Sequence, residues 1–201
     1  LVGKNAAGKS TVLEALEIFF GTAKPELEDL NIHADSKYME VGCIFGELPK
    51  EVTVDTSAKT TLSSEYLLNE DNHLEVVKKF KCTDSTISKA EATIRAVHPT
   101  ASKYNDLLRL KLSELKDRGE SLGVTAKDQR VNSLWRKAIW EHSAKLDAVK
   151  TELNIDDFDA KVKSMYANLE AYYPQYYIFR VDRQTSDGDS EAKDPMQLAV
   201  K

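Results

Sequence analysis

The sequence has few of the residues that mark a disulfide-rich or metal-bound domain. Only two cysteines occur among its 201 residues, Cys43 and Cys82, and both lie in apolar runs that are typical of strands. Two cysteines are too few for a structural zinc site, and the four histidines lack the spacing of metal ligands. We therefore expect two buried, reduced thiols and no structural metal.

Long apolar runs and an excess of positive charge are also missing. No apolar segment approaches the roughly 20 residues that span a bilayer, and no signal-peptide pattern follows Leu1. With 28 basic and 33 acidic side chains, the net charge of −5 excludes a chain that is basic throughout. Apolar residues form 41% of the sequence, which is enough for a folded core. We expect a globular, cytoplasmic protein without membrane contacts, of which this chain is a piece.

The charge is distributed unevenly along the chain. Residues 103–150 contain 11 basic and 7 acidic side chains, a net charge of +4, whereas the flanking parts are acidic. A basic block of this kind is a candidate surface for a polyanion such as DNA. Interspersed charges are also typical of a solvated helical face, so both interpretations stay open here.

Hydrophobic periodicity predicts α/β structure in the first part of the chain, residues 1–102. An apolar stripe predicts a helix over residues 10–20 that ends at Gly21. Alternation with β-branched residues then predicts strands at residues 39–45, 74–82 and 87–97. These strands are separated by turn signals, so we expect a small antiparallel sheet.

The second part, residues 103–173, is expected to be a helical insertion. Apolar stripes predict antiparallel helices over residues 104–115, 131–149 and 155–173. His142 lies within the second stripe, which indicates a core or boundary residue rather than a catalytic one.

The boundaries of the last predicted helix come from two local signals. Asp156 or Asp157 would favour its N-terminus, and Pro174 would end it. The third part, residues 174–201, is expected to contain a strand at 175–181, an acidic loop at 182–195 and the start of another helix.

The strongest chemical signal is GKNAAGKS at residues 3–10. It matches the phosphate-binding pattern G-x-x-x-x-G-K-S/T, the P-loop or Walker A motif, through Gly3, Gly8, Lys9 and Ser10. The glycines let successive backbone N–H groups turn towards phosphate oxygens, and the following helix adds the positive end of its dipole. We expect ATP as the nucleotide, Lys9 as the catalytic residue at the β- and γ-phosphates, Ser10 as the Mg²⁺ ligand and Thr11 as a further phosphate contact. The expected nucleotide-binding residues are Gly3, Lys4, Asn5, Ala6, Ala7, Gly8, Lys9, Ser10 and Thr11.

The segment LVGKNAAGKSTVLEALEIFFG, residues 1–21, resembles the opening of ABC-type ATPase heads of the SMC and RecF kind, which favour an Asn where Asn5 stands. Ala6 departs from the Gly that is usual in those families. Within the group, the chain most resembles the overcoming-lysogenization-defect (OLD) family of ATP-dependent endonucleases and related bacterial defence ATPases, with residues 179–200 as a weaker second match. The resemblance implies a P-loop NTPase head, here a partial lobe with a small antiparallel β-sheet and a helical insertion.

The same resemblance implies partners as well as a reaction. Heads of this class hydrolyse ATP with Mg²⁺ and pair as homodimers or higher oligomers, in which two heads enclose two ATP molecules. It also implies DNA as a partner of the whole protein and, for OLD-like proteins, a Toprim nuclease domain after the head. Neither an LSGGQ-like signature nor a Toprim carboxylate cluster stands in this sequence.

Two features near the end of the chain are weaker matches to such heads. Residues 176–182 (YYIFRVD) resemble a Walker B strand, but Arg180 interrupts the apolar run and Arg183 replaces the expected Glu. We therefore expect the true Walker B motif further along the protein and negligible turnover by this piece alone. Gln184 stands near the place of the Q-loop in ABC heads and is a candidate contact to Mg²⁺ and the γ-phosphate. The DGD sequence at 187–189 is interpreted as solvated surface.

Three functions fit these observations. The first is an ATPase head of an OLD-like endonuclease in anti-phage defence. The second is an SMC- or RecF-like ATPase that repairs or organises DNA without its own nuclease. The third is an ATP-binding switch without significant turnover. A GTPase is disfavoured because the guanine-reading N-K-x-D motif does not occur.

Overall fold

The structure, a computed structural model, describes residues 8–30, 37–55 and 58–177, with residues 53–55 and 58 described by their backbone alone. The chain divides into two units, one of residues 1–23 with 174–201 and the other of residues 24–173. The predicted division at residues 102 and 173 stays a prediction, as do the strand, loop and helix expected between 178 and 201. No helix in the described ranges is both long and apolar enough to cross a membrane.

The described part of the first unit contains helix α1, Lys9–Phe20. The helix ends at Gly21, whose φ of 79° lets its N–H donate to the carbonyl oxygens of Glu17 and Ile18. The helix predicted at residues 10–20 and its end at Gly21 are therefore confirmed. Tyr176 packs on α1: its ring stacks on Phe20 at a centroid distance of 5.7 Å, and its hydroxyl donates to the Leu13 carbonyl oxygen at 3.1 Å.

The described residues of the second unit form two antiparallel sheets. The strands are β1 (Tyr38–Phe45), β2 (Val52–Asp55), β3 (Ala58–Thr60), β4 (Leu74–Lys81), β5 (Glu91–His98) and β6 (Val149–Asn154). The main sheet has the order β1-β4-β5-β6, and β2 pairs with β3 in a small hairpin. The predicted antiparallel sheet is confirmed for β1, β4 and β5. The strand predicted at 87–97 begins later, at Glu91, and Ile87 forms only an isolated bridge to Cys82.

Register across the main sheet separates an apolar face from a charged one. Val76 of β4 lies opposite Ile94 of β5, which lies opposite Leu153 of β6, and all three side chains are buried. Strand alternation places charged residues of all four strands on the other face. There, Arg95 donates to Glu40 and to Glu152, at 2.7 Å in each case. The apolar face forms the core, and an ion-pair network spans the opposite face.

The described residues of the second unit also form three α-helices: α2 (Leu112–Ser121), α3 (Asn132–His142) and α4 (Ala160–Glu170). Helices α2 and α3 pack together, and α4 packs along β2. The helix predicted over residues 104–115 begins only at Leu112. Leu107 and Leu108 are buried, as their apolar pattern indicates, but they lie in turns rather than in a helix.

The helix predicted over residues 131–149 is wrong in its second half. Helix α3 ends at His142, and Val149 begins β6, the fourth strand of the main sheet. Residues 149–154 pair with β5 from His98 to Thr93, so a long-range backbone ladder overrides the local apolar spacing. His142 is exposed in the last turn of α3, which contradicts its predicted place in the core or at its boundary.

The helix predicted over residues 155–173 is shorter and starts later than expected. Residues Ile155–Asp157 form one 3-10 turn, and α4 begins after Asp159, whose carboxylate accepts a hydrogen bond from the Lys161 N–H at 3.1 Å. Asp159 is therefore the N-cap of α4. The prediction that Asp156 or Asp157 would favour the N-terminus of this helix is wrong. The helix ends at Glu170, before the backbone restriction that Pro174 imposes.

The two cysteines are free thiols, as expected. Cys82 is buried, whereas Cys43 is only half-buried. Partial burial raises the pKa of the Cys43 thiol, and Lys78 opposes that rise without cancelling it. A raised pKa leaves less thiolate at neutral pH, so this thiol is less reactive than an ordinary one.

Candidate phosphate-binding site

The described part of the P-loop motif is its final turn, from Gly8 to Thr11. Gly8 has φ 76° and ψ 13°, the left-handed region that residues with a Cβ adopt only with strain. A Cβ built at Gly8 meets no heavy atom within 4 Å among the described residues. Glycine is therefore required here by the backbone conformation.

The chain changes from loop to helix at Gly8. The Val12 N–H donates to the Gly8 carbonyl oxygen at 3.2 Å, which is the first hydrogen bond of α1. The N–H groups before Val12 have no partner within the helix, as in any first turn. Together with the helix dipole they make this end of α1 attractive to an anion.

The side chains of the first turn suit a phosphate ligand. Ser10 and Thr11 are exposed and Lys9 is half-exposed, so their polar groups can be reached from solvent. None of the residues in the first turn is acidic, and Gly8 has no side chain with which to cap the helix. No acidic side chain of the first turn therefore offsets the positive end of the helix dipole.

The other predicted site residues lie outside the described ranges. These are Gly3, Lys4, Asn5, Ala6, Ala7 and Gln184, and they stay predictions. The DGD sequence at 187–189 and most of the Walker B-like segment 176–182 also lie outside. Of that segment, Tyr176 and Tyr177 are described, and neither is in a strand.

Sequence reasoning missed the role of Tyr176 because it assigned this residue to a strand. Its hydroxyl donates to the Leu13 carbonyl oxygen and its ring stacks on Phe20, the last residue of α1. The segment after Pro174 thus supports the helix that begins with the P-loop residues. The pair of aromatic residues at 176–177 was the available signal, but an aromatic pair fits a strand equally well.

Possible ligands for Mg²⁺ are restricted in the described part of the chain. No group of three His, Cys, Asp or Glu side chains comes together there in a way that could hold a metal ion. Ser10 is exposed beside the helix N-terminus, where a P-loop hydroxyl binds Mg²⁺ that the nucleotide phosphates also ligate. The residues present therefore fit a cation that arrives with its nucleotide.

Much of the charge in the basic block 103–150 is already compensated. Arg118 forms a two-pronged pair with Asp106, with both N–O distances at 2.9 Å. Lys145 lies 2.9 Å from Asp147, and Arg109 lies 3.3 Å from Asp157 of the next segment. Asp106 and Asp147 are already counted in the net charge of +4. Asp157 lies outside the block, so the net charge of +4 overstates the attraction of this surface to a polyanion.

Comparison with known proteins agrees with the P-loop assignment. A family model described as an AAA ATPase domain matches residues 1–201, the whole chain. No curated protein and no solved structure matches it. The family supports ATP binding and hydrolysis, typically with Mg²⁺, and the mixed α/β fold with a small antiparallel sheet is consistent with it. The chain therefore belongs to the AAA ATPase domain family.

Proposed function

We propose that this chain binds and hydrolyses ATP as the ATPase head of a DNA-acting, OLD-like endonuclease in the bacterial cytoplasm. The observation that supports the ATPase part is the left-handed turn at Gly8 that leads directly into α1 with Lys9 and Ser10 in its first turn. The DNA-acting part rests on the resemblance of residues 1–21, and more weakly of residues 179–200, to OLD-family proteins.

The chemistry of the proposed site is electrostatic. The N–H groups at the start of α1 receive phosphate oxygens, and Lys9 adds a full positive charge at the β- and γ-phosphates. Ser10 would hold Mg²⁺, which offsets phosphate charge when it is bound. Thr11 lies one residue further into the same turn and donates to the α- or β-phosphate. These groups position the phosphates, and the residue that orients the attacking water belongs to a part of the site outside this motif.

Phosphate release by the full-length protein tests the ATPase proposal. Lys9→Ala is expected to abolish ATP-dependent phosphate release, because Lys9 is the lysine with which this motif reaches the β- and γ-phosphates. Lys24→Ala is the matched control, since Lys24 is an exposed lysine outside the motif. Equal release from the wild type and Lys9→Ala would overturn the proposal.

A second assay separates the three functions that the sequence left open. The full-length protein is incubated with plasmid DNA, ATP and Mg²⁺, and both DNA cleavage and phosphate release are measured. Cleavage supports the OLD-like proposal. Phosphate release without cleavage favours an SMC- or RecF-like ATPase, and ATP binding without phosphate release favours a switch module.

The proposal includes assembly of heads as homodimers or higher oligomers. If two heads enclose ATP, ATP should increase the molar mass of the full-length protein in light scattering. Lys9→Ala should lose this increase, whereas Lys24→Ala should keep it. A mass that is independent of ATP in every variant would contradict nucleotide-dependent pairing.

A further inference from the structure

A group of polar side chains is buried at the start of α3, within the unit of residues 24–173. Asn132, Ser133 and Arg136 are 3%, 5% and 0% exposed. Arg136 donates to the buried carboxylate of Glu65 from Nε at 2.6 Å and from Nη2 at 3.0 Å. The Thr60 hydroxyl donates to the same carboxylate at 2.9 Å. The Nε and Nη2 atoms of the guanidinium thus both have a hydrogen-bond acceptor.

Three atoms of this group make no hydrogen bond to another residue in the part of the chain that the structure describes. They are Arg136 Nη1, Asn132 Oδ1 and Ser133 Oγ. Buried polar atoms nearly always have a partner, because burial removes the water that would otherwise bond them. The need is strongest for Arg136, whose Nη1 carries part of a positive charge and two N–H donors.

Helix geometry places the three residues on neighbouring positions of α3. Asn132 and Ser133 precede Arg136 by four and three positions, which is the spacing of neighbours on one side of a helix. Helical side chains lean towards the N-terminus, so the Arg136 side chain extends over the turn that carries the other two. Nε and Nη2 face Glu65, and Nη1 therefore points away from that carboxylate.

We infer that a single water molecule is bound among Arg136 Nη1, Asn132 Oδ1 and Ser133 Oγ. A buried water typically makes about three hydrogen bonds, which matches this set. The water would accept from Nη1 and donate to Oδ1, and the Ser133 hydroxyl can take either role. The water would thus connect Asn132 and Ser133 to Arg136, which in turn bonds Glu65.

The charges around the site exclude an ionic occupant. Glu65 already balances the charge of Arg136, and Asp159 accepts a hydrogen bond from Asn132 Nδ2 at 3.4 Å. An anion would therefore lie close to two carboxylates. A cation would meet the Nη1 donors of Arg136. A neutral molecule that both donates and accepts satisfies all three atoms.

A crystal structure of the full-length protein at a resolution of about 1.5 Å, where buried waters are seen directly, tests this inference. We expect a density peak within hydrogen-bonding distance of all three atoms. A bromide soak with anomalous data distinguishes water from an anion, and a bromide peak at this position would overturn the inference. So would a backbone carbonyl in contact with Nη1, or an absence of density between the three atoms.

Solution NMR gives an independent readout. A long-lived water should produce nuclear Overhauser transfer from the water signal to the backbone amides of Ser133 and Arg136. Ser133→Ala with Asn132→Leu should abolish this transfer, whereas Ser121→Ala, at the exposed end of α2, should not change it. If the double variant does not fold, Ser133→Ala alone should weaken the transfer. Persistence of the full signal in a folded double variant would refute a water held by these side chains.

Discussion

Arg136 and Glu65 form a two-pronged ion pair that is completely removed from solvent, although 71 positions separate them in the sequence. The guanidinium Nε and Nη2 atoms lie 2.6 and 3.0 Å from the two carboxylate oxygens. The pair joins α3 to the turn that follows β3. Both charges lose their hydration on folding, so each depends on the other for compensation.

Removal of one partner of this pair should lower the free energy of unfolding much more than removal of both. Arg136→Met or Glu65→Leu alone leaves an uncompensated buried charge, and we expect the free energy of unfolding to fall by about 3–5 kcal/mol. The double variant should recover a large part of this loss. Urea unfolding of the three variants measures these differences.

The matched control for this prediction is Arg130→Ala. Arg130 pairs with Asp128 on the surface, where its side chain is 89% exposed, so its removal should leave stability almost unchanged. A single variant at position 65 or 136 that is as stable as this control would show that the buried pair contributes nothing.

Gly8→Ala should weaken ATP binding, whereas Gly21→Ala should not. Both glycines are left-handed, with φ of 76° and 79°, and a Cβ at either position would meet no heavy atom of the described residues within 4 Å. Alanine at either end of α1 should therefore cost a similar ~1–2 kcal/mol of backbone strain. At position 8 the free protein would relax from this conformation, and ATP would have to restore it.

Isothermal titration calorimetry of the full-length protein checks this comparison. We expect an affinity about tenfold lower for Gly8→Ala, which corresponds to a strain of ~1.4 kcal/mol, and an unchanged affinity for Gly21→Ala. The same affinity in both variants would contradict a role for Gly8 in binding phosphate.

Gly119→Ala should destabilise the packing of α2 on α3. A Cβ at this position would lie 2.4 and 2.8 Å from two ring carbons of Trp135 and 3.1 Å from the Val124 carbonyl oxygen. Alanine favours a helix by about 1 kcal/mol over glycine, but the clash requires the ring to move. We expect a net loss of about 1–3 kcal/mol in the free energy of unfolding.

Thermal unfolding and tryptophan fluorescence measure the effect at position 119. Gly46→Ala is the control, because its Cβ would meet only the His73 ring at 3.7 Å, an ordinary contact. If Gly119→Ala is at least as stable as the wild type, the contact with Trp135 is not tight in solution.

Stability should depend on pH through Glu152 of the charged sheet face. Hydrogen bonds from Lys79 and then Arg95 lower the pKa of Glu152 below its ordinary value. A carboxylate with a lower pKa in the folded state contributes stability above its unfolded pKa, near 4.3, and loses it as the pH falls through the folded value. The wild type and Glu152→Gln should therefore differ most near neutral pH and converge in acid.

Urea unfolding midpoints between about pH 2 and pH 7 test this prediction, since that interval covers the titration of Glu152. Glu70→Gln, at an exposed position, provides the comparison for a charge outside the ion-pair network. A constant difference between the wild type and Glu152→Gln at every pH would contradict the assignment.

Local sequence signals predicted the secondary structure correctly where the deciding interaction is between residues close together in the sequence. The helix that follows the P-loop ends at Gly21 because glycine adopts the left-handed conformation that satisfies the last carbonyl groups. The strand at Tyr38–Phe45 has the alternation of more and less exposed residues that the sequence pattern predicts. The same reasoning failed at residues 149–154, since pairing with β5 is a long-range interaction that apolar spacing cannot reveal.

The sequence by itself determined the match to the phosphate-binding motif, because that motif needs particular residues at particular spacings along one short segment. It also determined that the chain has a core and a small antiparallel sheet. Only the tertiary structure decided that Arg136 is buried against Glu65 and that Tyr176 supports α1. Burial and pairing across long separations depend on which surfaces meet, and a charged or aromatic residue has the same local signature on the surface and in the core.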